Sequence, residues 1–202
     1  MTHIRTILAI LALSVPAAPA LAQEAETPSF TEEVVRTVSY RNGDAARRFQ
    51  NYEAAMELYA EECAAGEGQS CKSLGDLHRR ALGTNQDYDS AEGLYETACD
   101  LQFTEGCLEL ANMLFEGRGL TRDYPRARSL YAQACDLNDQ IGCAVLGNMQ
   151  YVGMGGLRDR EEGADLLRGA CAAEVDYACA QVSSFGIDRG NSRFFNPWTG
   201  GN

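Results

Sequence analysis

Apolar positions return along most of the chain at an interval of 36 residues. Ala55, Tyr59 and Cys63 stand four apart, and the trio recurs as Ala91, Tyr95 and Cys99, then as Ala127, Tyr131 and Cys135. Residues four apart share one helical face, so each trio predicts the buried stripe of an amphipathic helix. The last copy keeps the spacing with Gly163, Leu167 and Cys171. Asn51, Asp87, Asp123 and Asp159 precede the stripes, and Asn and Asp are favoured N-caps because their side chains accept from first-turn amides. Pro125 falls in a first turn, where a missing amide hydrogen costs little. These signals predict a helix B of about 13 residues running from each cap to the cysteine that follows.

A second stripe predicts helix A, opening at Cys71, Cys107, Cys143 and Cys179. Large Leu74, Leu110, Leu146 and Val182 are each followed by small Gly75, Ala111, Gly147 and Ser183, a pairing suited to close helix packing. Glycines at 117, 119, 153 and 155 predict its C-terminal turn, with a weaker version at Ala81-Leu82-Gly83. Two helices repeated at this period predict an all-α solenoid of 36-residue helix-turn-helix units over 31–187. Its ends are expected to be irregular. Phe30–Tyr40 reads as a degenerate first helix A with Val34, Val35 and Val38 as its contacts. Cys179 to Ile187 reads as a last helix A without a helix B. The tail 188–202, with Phe194, Phe195 and Trp198, reads as an aromatic cover for the last repeat or as a docking segment.

The eight cysteines form four Cys-x7-Cys pairs. On one straight helix such a pair would lie ~12 Å apart, whereas a disulfide needs alpha carbons roughly 4.4 to 6.8 Å apart. A bond within a pair therefore requires the chain to reverse between its cysteines, and 65–68 and 137–140 look suited to that. Cys63–Cys71, Cys99–Cys107, Cys135–Cys143 and Cys171–Cys179 are the expected bonds, preferred over pairing between copies. Zinc hooks and the haem attachment motif are both missing.

The N-terminus changes the picture of where these bonds form. A weakly basic start, an apolar run from Ile7 to Val15 and the small residues before Gln23 predict a signal peptide over 1–22, cleaved near Ala22, and a leader over 23–30. The expectation is a periplasmic or secreted monomer without a membrane span. The formal charge of −12 excludes nucleic acid and anionic membranes as natural partners. Beyond the signal peptide there is one lysine, Lys72, and one histidine, His78.

The run Ala-Arg-Ser-Leu-Tyr-Ala-Gln-Ala-Cys-Asp-Leu-Asn-Asp-Gln-Ile-Gly-Cys-Ala-Val-Leu-Gly (127–147) resembles a Sel-one-like repeat of the cysteine-rich type found in the Helicobacter cysteine-rich protein family. The resemblance covers about 51–187 and departs at Arg160, Leu167 and 81–83. It implies tetratricopeptide-like antiparallel helix pairs wound into a right-handed superhelix, each pair locked by a disulfide. It also implies an interaction scaffold, with beta-lactamase or penicillin-binding hydrolase activity as the alternative that the family carries.

The residues give that alternative little support. Gln69, not serine, stands three positions before Lys72, so Ser-x-x-Lys cannot form, and Ser-Asp-Asn and Lys-Thr-Gly are missing. One histidine cannot build a catalytic zinc site. His78 reads as a packing or surface residue, and no cofactor or metal is expected. In the implied stack helix A lines the concave side, and one stripe of it reads Gln69, Ser73, Asp76, Arg80; Glu105, Glu109, Asn112, Glu116; Ile141, Val145, Asn148, Val152; Tyr177, Gln181, Ser184. Asp76, Arg80, Glu109, Asn112, Glu116, Asn148 and Val152 are the candidate binding residues. The expected partner is an envelope or extracellular protein or peptide, with a peptidoglycan-related or beta-lactam ligand as a further possibility. An acidic groove would favour a basic peptide.

Overall fold

The computed structural model describes residues 42–187, and every structural statement here concerns those residues. They form α1 (Gly43–Arg48), α2 (Tyr52–Ala64), α3 (Gly68–Arg80), α4 (Tyr88–Asp100), α5 (Thr104–Glu116), α6 (Tyr124–Asp136), α7 (Gln140–Val152), α8 (Arg160–Ala172) and α9 (Asp176–Ser184). No strand occurs among the described residues. The B helices are α2, α4, α6 and α8, each 13 residues long. Asn51, Asp87, Asp123 and Asp159 cap them through side-chain oxygens that accept first-turn amides. The A helices are α3, α5, α7 and α9.

Each helix packs on its neighbours in sequence, while contacts of α3 with α5 and of α7 with α9 are sparser. The core is therefore a row of linked clusters along the stack. Leu110, Tyr95, Tyr59 and Tyr131 are almost wholly buried there. Burying a side chain such as Leu110 contributes about 1.5–3 kcal/mol. In the last full pair Gly163 replaces the alanine of the other copies, and α8 lies close against α7. A methyl on Gly163 would sit 2.6 Å from the Gly147 carbonyl oxygen.

All four disulfides join a B helix to the A helix that follows, with Cα separations of 4.5–4.6 Å. The A helices begin three residues before the second cysteine, not at it as the sequence suggested. Reversal is compressed into 65–67, 101–103, 137–139 and 173–175. The compression relies on one left-handed residue per turn, at Gly66, Gln102, Asn138 and Glu174, with φ of 96°, 62°, 68° and 64°. Left-handed backbone costs a residue with a Cβ roughly 1–2 kcal/mol, offset in part by the unfolded-state freedom of glycine. Gln102→Gly is thus expected to raise stability by about 0.5–1 kcal/mol. Urea denaturation checks this, and a lower midpoint would mean that the Gln102 side chain itself holds the turn.

Gly117 and Gly153 close α5 and α7 in the left-handed conformation, and Ala81 adopts the same conformation after α3. At the N-terminal end the helix packed on α2 is the short α1. The segment Phe30–Tyr40 lies outside the described residues, as do the signal peptide and leader at 1–30 and the tail 188–202 with Phe194, Phe195 and Trp198. Among the described residues no helix is long and apolar enough to cross a membrane.

Candidate binding face

The A helices carry a recurring polar contact that links frame and face. A buried tyrosine hydroxyl needs a partner, and the helix before its own supplies one. Tyr59 donates to Asp44 at 2.5 Å, Tyr95 to Asp76 at 2.7 Å and Tyr131 to the Asn112 side-chain oxygen at 2.6 Å. In the first two units an arginine three residues on closes the set: Arg47 donates to Tyr59 at 3.1 Å and Arg79 to Tyr95 at 2.9 Å. In the third, Phe115 takes the arginine position and meets the Tyr131 ring edge-on. In the fourth, Leu167 has no hydroxyl, and Asn148 is hydrogen-bonded instead to Tyr177 of α9. Burial pushes the Tyr95 and Tyr131 hydroxyls far above the usual tyrosine range.

Asp76 carries the densest set of contacts. Lys72 donates to it at 2.8 Å and Arg79 at 3.3 Å, besides Tyr95. Burial works against its charge, but the hydrogen bonds from Lys72, Tyr95 and Arg79 together outweigh burial and lower its pKa. Asp76 and Asn112 therefore spend an oxygen inside the frame, and Asn148 is likewise engaged. Glu109 reaches back to Arg79 at 4.0 Å, tying α5 to α3, and Glu116 pairs with Arg118. Arg80 is exposed and, among the described residues, has no carboxylate partner. Val152 is exposed, as are Ile141 and Tyr177 on the same stripe.

Two recesses open on this side. One, of about 350 Å³, brings together Arg80, Glu109 and Asn112 with Arg79 and Arg118. The second, of about 660 Å³, lies between α1 and α3 and joins Asp76 and Arg80 to Asp44, Arg47, Arg48 and Lys72. Asn148 and Val152 line neither recess. Asp44, Arg47 and Arg48 lie on α1, outside the stripe that the cysteine spacing defines. The missed signal was the Asp-x-x-Arg spacing, present as Asp44/Arg47 and again as Asp76/Arg79, each ahead of a tyrosine.

His78 is half-buried on α3, and its Nδ1 meets no hydrogen-bond partner. Among the described residues no group of three or more His, Cys, Asp or Glu could hold a metal ion. Four disulfides belong to an oxidising, non-cytoplasmic compartment.

A crystal structure of a Sel1 repeat protein from Oxalobacter formigenes is similar, with a TM-score of 0.65 at 22% identity over 74% of this chain and 61% of that one. A protective antigen of uropathogenic Escherichia coli with an SLR fold gives 0.61 at 26% identity over 70% of this chain and 32% of that one. Helicobacter pylori cysteine rich protein B gives 0.50 at 27% identity over 64% and 92%. The chain thus spans less than two thirds of the first two structures. No curated protein sequence matches. The Sel1 repeat itself matches four times in tandem, at residues 38–66, 68–103, 104–139 and 141–174, across the helix pairs and staples described above. With most of its length accounted for by these repeats, the chain belongs to the Sel1 repeat family.

Proposed function

We propose that the protein is an exported, monomeric binding scaffold whose A-helix face receives a protein or peptide segment in the bacterial envelope or outside the cell. Sel1 repeats are an interaction scaffold, and stacked repeats offer a continuous surface while the frame beneath repeats. One observation carries the reading. The exposed apolar residues Ile141, Val152 and Tyr177 share a stripe with the unpaired Arg80, on helices whose inner faces are otherwise near-copies. Among the described residues the frame takes, of these four side chains, only the Tyr177 hydroxyl, which bonds Asn148, and leaves Ile141, Val152 and Arg80 to the surface. The apolar leader at 1–22 supports export, with cleavage after Ala22.

The test is capture from an envelope extract by the oxidised protein and by an Ile141→Asp/Val152→Asp variant. The variant is expected to keep its circular dichroism and lose the captured partner. Recovery of nothing specific by the wild type would overturn the reading. Nitrocefin turnover is expected at background, and turnover abolished by His78→Ala or Ser73→Ala would favour the hydrolase alternative.

A further inference from the structure

The face is not electrically uniform, and its charge runs against that of the whole chain. At −12 the protein as a whole favours cationic partners. The larger recess nevertheless holds four cations, Arg47, Arg48, Lys72 and Arg80, against the carboxylates Asp44, Asp76 and Glu105. Two of those carboxylates are already committed. Asp44 accepts from Tyr59 and pairs with Arg47, and Asp76 accepts from Tyr95, Lys72 and Arg79.

Those bonds use Arg47 and Lys72 as well, so Arg48 and Arg80 remain against the single carboxylate of Glu105, a surplus of positive charge. Both are exposed, they come from different helices, and among the described residues neither has a carboxylate partner. Gln69 and Ser73 line the same recess and supply uncharged donors. Guanidinium groups present paired donors that match a carboxylate, so two of them at one recess form a ready anchor for that group. Further along the stripe the charge disappears, and Ile141, Val152 and Tyr177 present apolar surface.

We propose that the recess between α1 and α3 receives a carboxylate-bearing stretch of the bound polypeptide, with Arg48 and Arg80 as its anchoring pair. The partner segment is acidic where it meets α1 and α3, and apolar where it meets α7 and α9. The two unlike ends fix the direction in which it lies across the helices. This replaces the basic peptide that an acidic groove would favour. It rests on the reading of the A-helix face as the binding face.

A library of random dodecapeptides, displayed on phage and panned on the full oxidised protein, tests it. The wild type is expected to select peptides in which Asp or Glu precedes or follows an apolar cluster. Affinity for those peptides should fall about tenfold or more in Arg48→Glu/Arg80→Glu, and less in Arg48→Lys/Arg80→Lys. The loss should shrink at high salt, where exposed charges are screened. Among the described residues neither arginine side chain bonds within the frame, so unchanged circular dichroism is expected in both variants. Peptides without acidic enrichment that still lose binding in Ile141→Asp/Val152→Asp would overturn the anionic anchor and leave the binding face standing. Failure to select any peptide, or selection indifferent to both sets of substitutions, would overturn both.

Discussion

Reduction of the four disulfides is expected to unfold the protein outright. Each bond closes a loop with a sequence separation of 8. Chain entropy then assigns each about 2.5 kcal/mol, by raising the free energy of the unfolded chain. Four such terms approach ~10 kcal/mol, comparable with the ~5–15 kcal/mol that holds an ordinary domain together. A stack whose helices pack chiefly on their sequence neighbours has few contacts beyond adjacent helices to compensate. Far-UV circular dichroism in reductant should show loss of the helical signal. A Cys99→Ala/Cys107→Ala variant should lose about 2–3 kcal/mol in a urea titration. Retention of the native spectrum and midpoint after full reduction would show that packing alone suffices.

Asp76→Ala is expected to cost about 2–3 kcal/mol, the largest effect of any single exposed-face substitution, whereas Asp76→Asn should stay within about 1 kcal/mol. Alanine leaves the buried Tyr95 hydroxyl without its acceptor and releases Lys72 and Arg79 together. Asparagine keeps the acceptor, as Asn112 does for Tyr131 one unit on. The same residue sets a pH dependence. Its folded pKa lies below the unfolded one, so the folded state binds the proton less readily. The stabilisation is fully present above the unfolded value of roughly 4 and is lost as pH falls through the folded value. Acid titration by circular dichroism should therefore show wild-type stability falling below about pH 4, with a smaller fall in Asp76→Asn. Equal acid sensitivity of the two proteins would remove Asp76 as the source.

The B helices were legible to within one residue, each ending one past its cysteine, because their caps and buried stripes are local. An Asp or Asn side chain accepts amides two or three residues ahead, and the Ala-Tyr-Cys spacing belongs to one helix. The A helices were legible as a face but not in their start. Placing that start three residues before the second cysteine depends on a left-handed residue in the turn. Gly66 and Asn138 announce one, whereas Gln102 and Glu174 do not. The fold imposes the conformation on these two because the helices are already stapled and packed. The candidate residues were legible as a stripe. That Asp76 and Asn112 bind tyrosine hydroxyls of the next helix was not, since each pair is 19 residues apart.

The chain by itself determined the period, the capped helices and the all-α solenoid, all set by contacts spanning a few residues and repeated without slip. Tertiary structure alone decided which polar side chains serve the frame and which remain free for a partner. That division depends on distances across helices. An overall charge of −12 gives no hint that Arg48 and Arg80 meet at one recess. Only packing shows that the nearby carboxylates Asp44 and Asp76 are already engaged by tyrosines.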